Sequence, residues 1–349
     1  MRASPLARML FALYALLTVY ASVYPLEGWR DHGLSAFAYL ASPAPRYVTG
    51  FDVAVNVLGY VPYGFLGVLA LRTRVQGVAA FAAMAGTALL LSFVLEAVQT
   101  YIPARVATNV DVLCNVIGAS VGAALGVAAA PAVLGGPLER WRAAMFHAGA
   151  GIDAGLILLA LWVFTQLNPA TLLFAAGDLR DLLAAGAGRA RAPEFFVAIE
   201  AFTAGANLVS VGLLVAALVR PERSARALFA ALVAAALVVK VAAFAILMRA
   251  ENVFVWLTPG AQLGLASGLV VALAAMALPG LARLVLAAVL IMAATVLVNL
   301  APPNPYLAAT LKLWQQGHFL NFNGLTRLVS ALWAFVALGY LIFLAARRR

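Results

Sequence analysis

Residues 92–126 read SFVLEAVQTYIPARVATNVDVLCNVIGASVGAALG. Two apolar runs meet at a short polar bend around Pro103 and Arg105. Glu96, Gln99, Arg105, Asn109, Asp111 and Asn115 lie in or beside runs that belong in lipid. An ionisable group in hydrocarbon is costly, so each of these needs a partner or a task.

The rest of the chain has the same character. It holds 349 residues, of which 65% are hydrophobic and 10% charged, with a mean hydropathy of +1.00. A soluble core cannot use so much apolar sequence without exposing it. The fold class is therefore all-α, a polytopic transmembrane helical bundle. Apolar runs at 6–24, 52–71, 78–99, 110–130, 152–167, 195–219, 225–248, 255–278, 281–300 and 325–344 each approach the ~20 residues that a spanning helix needs. That gives about ten membrane-spanning helices. The first run is read as an uncleaved span, because Ala21-Ser22-Val23 is a poor cleavage site. The chain divides into a four-helix module over 1–135 and an additional membrane-helix region of about six spans over 136–349. Gly118, Gly122 and Gly126 recur at a spacing of four, which lets another helix approach closely.

The net charge of +10 does not indicate nucleic acid. The Arg residues are dispersed among the loops, where they set topology and meet anionic headgroups. With the N-terminus inside, the inner loops hold Arg2, Arg8, Arg72, Arg74, Arg140, Arg142, Arg220, Arg223, Arg226, Arg283 and the terminal Arg triplet. Their only acids are Glu139 and Glu222. Both termini are accordingly placed in the cytoplasm, with the chain multi-pass in the membrane. The single Cys114 allows no disulfide within the chain and reads as a small buried apolar residue.

In that topology Asp52, Glu96, Gln99 and Asp111 fall at the outer leaflet. Asp52 and Asn56 are four apart, Glu96 and Gln99 three, Asp111 and Asn115 four. Each pair shares one helix face. Three helix ends thus present a carboxylate beside a carboxamide, and lipid drives such faces together. The expectation is a small polar pocket, open outward, with Arg105 pairing two of the carboxylates. Arg105 is also suited to a phosphate or carboxylate on a ligand. The plainer reading is interhelical hydrogen bonding worth ~1 kcal/mol per bond.

The spaced residues Asp52-x-x-x-Asn56, Pro62-x-Gly64, Glu96-x-x-Gln99, Pro103-x-Arg105 and Asp111-x-x-x-Asn115-x-x-Gly118-x-x-x-Gly122 resemble the VanZ-like domain over roughly 8–130. The resemblance implies a four-helix membrane module, an association with glycopeptide (teicoplanin) resistance in some members, and no settled biochemical mechanism. The second half goes beyond the minimal module, although longer bacterial members look similar there.

Elsewhere, Gln315, Gln316, His318, Asn321 and Asn323 stand among aromatics. They read as an interfacial segment, or as an outer lid that adds His318 and the Asn residues to the polar site. Glu200 and Lys240 read as a buried pair between adjacent helices, structural or part of a proton or substrate pathway. The His residues are scattered and no H-E-x-x-H occurs, so no metal site or cofactor is read. Three functions remain open. One is a protein that binds or moves a membrane lipid or lipid-linked envelope precursor. Another is a membrane enzyme with Glu96 or Asp111 as acid or base. The third is an accessory structural protein.

The topology is open to a direct check. A fluorescent-protein reporter fused after Arg349 is expected to light up and an alkaline-phosphatase reporter to stay inactive; the reverse pattern rejects it.

Overall fold

The computed structural model describes residues 4–33, 35–41, 49–72, 74–180, 191–247, 252–302, 304–305 and 320–347. Among these there are 11 α-helices and no strand. Eight helices are long and apolar enough to cross a membrane. Two shorter apolar helices, of 16 and 17 residues, bring the set close to the ten expected from sequence. The chain forms two compact units, Met1–Ala144 and Met145–Arg349.

The first unit contains α1 (Pro5–Val23), α2 (Gly50–Leu71), α3 (Gly77–Gln99) and α4 (Asn109–Gly135). Local sequence starts these helices where it does. Ser4 accepts the Ala7 amide above Pro5. Thr49 and Asp52 form a reciprocal capping box at the head of α2, and Thr108 caps α4. Each satisfies amides that the first helical turn leaves without a partner. Helix α4 runs five residues beyond the expected end, through Pro131.

Helices α2 and α4 meet backbone to backbone. A Cβ on Gly64 would lie 1.9 Å from the Ala119 carbonyl oxygen. On Gly118 it would lie 2.1 Å from that of Val57, and on Gly122 1.9 Å from that of Val61. Only hydrogen fits at these three positions. The glycine row therefore does on α4 what its spacing promised. Helix α1 is tied to α2 by Tyr14, whose hydroxyl donates to the Gly59 carbonyl at 2.7 Å.

After the short α5 (Pro137–Met145), which lies in the first unit up to Ala144, comes the second unit. Its own helices are α6 (Ala150–Thr165), α7 (Pro193–Leu218), α8 (Ala225–Leu247), α9 (Pro259–Ala275), α10 (Gly280–Leu300) and α11 (Leu320–Ala346). Helix α9 starts four residues later than its apolar run, because Thr258 caps it and Pro259 occupies the first turn. Helix α7 is the centre of this unit: 83% of its apolar window is buried. It packs closely on α9, where a Cβ on Gly264 would lie 2.6 Å from the Ala201 carbonyl oxygen. Ser210 donates across to the Ala287 carbonyl of α10 at 3.1 Å. Trp333 of α11 donates to the Leu158 carbonyl of α6 at 2.8 Å.

One end of this unit gathers cations against backbone carbonyls. Arg220 Nε donates to the Phe146 carbonyl at 2.9 Å, and Arg283 Nη1 to that of Ala216 at 3.0 Å. In both units large apolar side chains face outward, among them Val78 (83% exposed), Val270 (70%) and Leu300 (79%). Water would penalise such a surface, whereas hydrocarbon accepts it.

The backbone contact of α2 with α4 sets a stability prediction. Gly122→Leu is expected to cost about 2–3 kcal/mol, the upper range for overpacking, and to lower the unfolding temperature in detergent. Gly86→Leu, at a position with nothing within 4 Å of a Cβ, should change it little. Equal effects from the two variants would refute the contact.

Candidate functional site

The site is built where α3 ends, the bend of 100–108 turns, and α4 begins. Thr108 has two tasks there. Its hydroxyl oxygen accepts the Asp111 amide at 3.0 Å. Its own amide donates to Glu96 Oε2 at 2.9 Å. Glu96 is only 3% exposed. Its carboxylate sits against the N-terminus of α4, where free amides and the helix dipole favour an anion.

The next contacts join α4 to both neighbours. Asn56 Nδ2 of α2 donates to Asp111 Oδ1 at 2.5 Å. One turn deeper, Asn115 Nδ2 donates to Ser92 Oγ of α3 at 2.9 Å. The carboxylate and the carboxamide on one face of α4 thus hold a different helix each.

Asp52 has a local role. Its carboxylate accepts from the Thr49 amide at 3.1 Å and from the Thr49 hydroxyl at 2.6 Å. It stands close enough to Asp111 for their charges to act on one another.

Arg105 and Gln99 correct the expectation. Arg105 donates through Nε and Nη2 to the Tyr24 carbonyl at 3.1 and 2.9 Å, and through Nη2 to that of Ala21 at 2.9 Å. Gln99 Nε2 donates to the Ser22 carbonyl at 3.0 Å. Together they hold the C-terminal turn of α1, whose last carbonyls lack intrahelical partners. Arg105 makes no ion pair with a carboxylate among the described residues. The planar fork is better matched by a row of helix-end carbonyls, and Glu96 and Asp111 are already engaged elsewhere. The carboxylates still act on it at longer range. Burial pushes the guanidinium below its ordinary value, while Glu96 and Asp111 pull the other way, so it stays a cation.

Two polar atoms are left over. Asn115 Oδ1 is buried without a hydrogen-bond partner, and Tyr60 Oη, beside Ser92, forms no well-shaped hydrogen bond. Sequence reading passed over Tyr60, Ser92 and Thr108 as members of this group. The signal was present: Tyr60 lies four after Asn56, Ser92 four before Glu96, and Thr108 three before Asp111. Tyr39, in a short 3-10 turn over Ala38–Leu40, donates to the Phe93 carbonyl at 3.0 Å. Burial and then the Glu96 charge push its hydroxyl above the ordinary range.

The second unit departs from expectation at Glu200 and Lys240, which do not pair. Lys240 is fully buried and donates to the carbonyls of Asn168 at 2.9 Å and Thr171 at 3.2 Å. Its Nζ also lies 5.4 Å from the centre of the Phe244 ring. Glu200 instead accepts from the Thr258 hydroxyl at 2.5 Å and from Asn304 Nδ2 at 2.9 Å. The loop carbonyls after α6 reach the lysine first, so the carboxylate finds neutral donors. His318 and the side chain of Asn321 lie outside the described residues. Among the described residues no three of His, Cys, Asp or Glu come together in a group able to hold a metal ion.

Residues 9–130 match the sequence model of a family described as VanZ/LLP1. The matched stretch contains Asp52, Asn56, Glu96, Gln99, Arg105, Asp111 and Asn115. No curated protein and no solved structure matches the chain.

The two kinds of contact separate by experiment. Asn56→Leu deprives Asp111 of its donor and should cost about 1–2 kcal/mol, without altering amide exchange at the end of α1. Gln99→Ala with Arg105→Ala should speed hydrogen exchange at residues 21–24. Unchanged exchange there would exclude the docking role.

Proposed function

We propose that this chain, a VanZ-like family protein, binds or moves a lipid-linked cell-envelope amphiphile, with residues 1–144 holding its polar head. It would do so in a bacterial inner membrane with both termini in the cytoplasm. The observation that carries this reading is the polar group linking α2, α3 and α4. It contains Glu96 and Asp111, the cation Arg105, and buried polar atoms of Tyr60 and Asn115 that lack a well-shaped hydrogen bond. Such atoms in an apolar bundle cost free energy unless something binds them. A phosphate or sugar head supplies both acceptors and donors. The Arg105 guanidinium suits a phosphate oxygen, and the fixed carboxylates suit hydroxyl or amide donors. Asp52 and Asn56 shape the rim. A contribution to glycopeptide resistance would follow if that amphiphile is the precursor on which the antibiotic acts.

A specific observation favours a second reading, an accessory structural role. Glu96, Gln99 and Arg105 all bond to backbone, which is what a network that only folds the module would do. Acid–base catalysis by Glu96 or Asp111 has less behind it, since each carboxylate holds a helix in place.

The readings part on binding to polyprenyl phosphate in nanodiscs. Arg105→Ala is expected to weaken binding about tenfold or more through loss of a charge-assisted contact. Gln99→Ala loosens the same end of α1 without removing charge and should bind nearly as wild type. Equal losses in both favour the structural role. Wild-type affinity in Arg105→Ala ends the binding reading.

A further inference from the structure

A cavity of about 80 Å³ lies in the second unit, lined by Glu200, Trp256, Thr258, Phe244, Thr171 and Leu172, with other apolar side chains completing the wall. Three features set it apart from a packing defect.

The first is a positioned carboxylate. Glu200 is held by Thr258 and Asn304, both neutral donors. Its position is further fixed by Gly260, where a Cβ would fall 2.5 Å from Glu200 Cβ and 2.8 Å from its Oε2. No Lys or Arg among the described residues forms an ion pair with it. The second is a donor without an acceptor: Trp256 Nε1 is buried and makes no hydrogen bond. The third is aromatic surface from Trp256 and Phe244, beside the aliphatic Leu172, Leu173 and Val255. Lys240 does not compete for Glu200, because its ammonium is taken up by the Asn168 and Thr171 carbonyls.

A carboxylate flanked by aromatic faces recognises an organic ammonium. Trp256 lines the same space, and its unpartnered indole N–H asks for an oxygen acceptor on the ligand. The size agrees. A water occupies about 30 Å³ of liquid, so the space admits a group of a few heavy atoms and nothing drug-sized. Its place in the helices agrees as well. Glu200 lies near the start of α7, at the end away from Arg220, Arg223 and Arg283. By the positive-inside bias this is the outer end.

We infer that this cavity is a second binding site, for a primary ammonium group carrying an oxygen two carbons away. That is the chemistry of an ethanolamine head, either on an aminophospholipid or free. The ammonium meets the Glu200 carboxylate and the phosphate-ester or hydroxyl oxygen accepts from Trp256 Nε1. The methylenes lie along Leu172 and Val255. The site rests on the second unit alone and stands whether or not the first binds an envelope amphiphile.

Native mass spectrometry of the purified full chain in detergent tests it. The protein is offered phosphatidylethanolamine and phosphatidylglycerol at equal concentration. Wild type is expected to retain the former about tenfold better, a difference of one decade in affinity. Glu200→Gln should abolish that preference, and Trp256→Phe should weaken it. Leu172→Trp, which fills the cavity and leaves Glu200 intact, should also abolish it. This last variant decides the matter if Glu200→Gln unfolds on heating well below wild type. Displacement of the lipid by free ethanolamine identifies the head alone as sufficient. Retention against free ethanolamine identifies the lipid as the ligand. Equal retention of both lipids by wild type, or an unchanged preference in Glu200→Gln or Leu172→Trp, overturns the proposal.

Discussion

Hydrocarbon offers no water to replace a missing hydrogen-bond partner. Every amide, carbonyl and charge that enters it must be satisfied from within the protein. This constraint organises both units. It explains why Glu96 sits on the first amides of α4, why Arg105 closes over the last carbonyls of α1, and why Lys240 reaches into the turn after α6. In each case a side chain that is expensive in lipid meets a backbone end that is equally unsatisfied. Each contact offsets part of both costs.

The same constraint makes close packing valuable. Apolar side chains gain little by leaving lipid for another helix, so association depends on contact and on hydrogen bonds. Glycines on α2 and α4 bring the two backbones together, and Asn56 and Asp111 then lie within reach of each other. Packing and polar contact are therefore one device. A side chain in the glycine row would part the helices and break the hydrogen bond above it. In the second unit α7 and α9 repeat the arrangement, with Gly260 and Gly264 bringing α9 against Glu200.

Satisfaction is incomplete at a dozen buried side-chain atoms among the described residues, and some of these fall at the two candidate sites. In the first unit Tyr60 Oη and Asn115 Oδ1 are left over beneath the polar rim. In the second, Trp256 Nε1 is left over in a wall shared with Glu200, which forms no ion pair among the described residues. A sequence that spends Asn, Tyr and Trp on such positions forgoes stability that Leu or Phe would supply. At the two candidate sites the proposed ligands would offset the loss.

The helices were readable because lipid imposes length and apolarity on each, and capping residues such as Thr49, Ser4 and Thr108 mark their starts. The end of α9 nearest Glu200 was overrun because an apolar run does not stop at a Thr-Pro cap. The three carboxylate–carboxamide pairs were readable because polar residues three or four apart on an apolar helix stand out. Their partners were not. Spacing tells which side chains share a face, but not that Arg105 would meet the carbonyls of Ala21 and Tyr24, some eighty positions earlier in the chain. Nor could it tell that Glu200 and Lys240, on consecutive helices, would each turn to a loop. Sequence by itself settled the membrane class, the spans and the existence of a polar group at residues 52–115. Tertiary structure alone decided which donor met which acceptor and which were left without one. Pairing depends on distances of a few tenths of an ångström between segments remote in sequence, and composition carries no record of those distances.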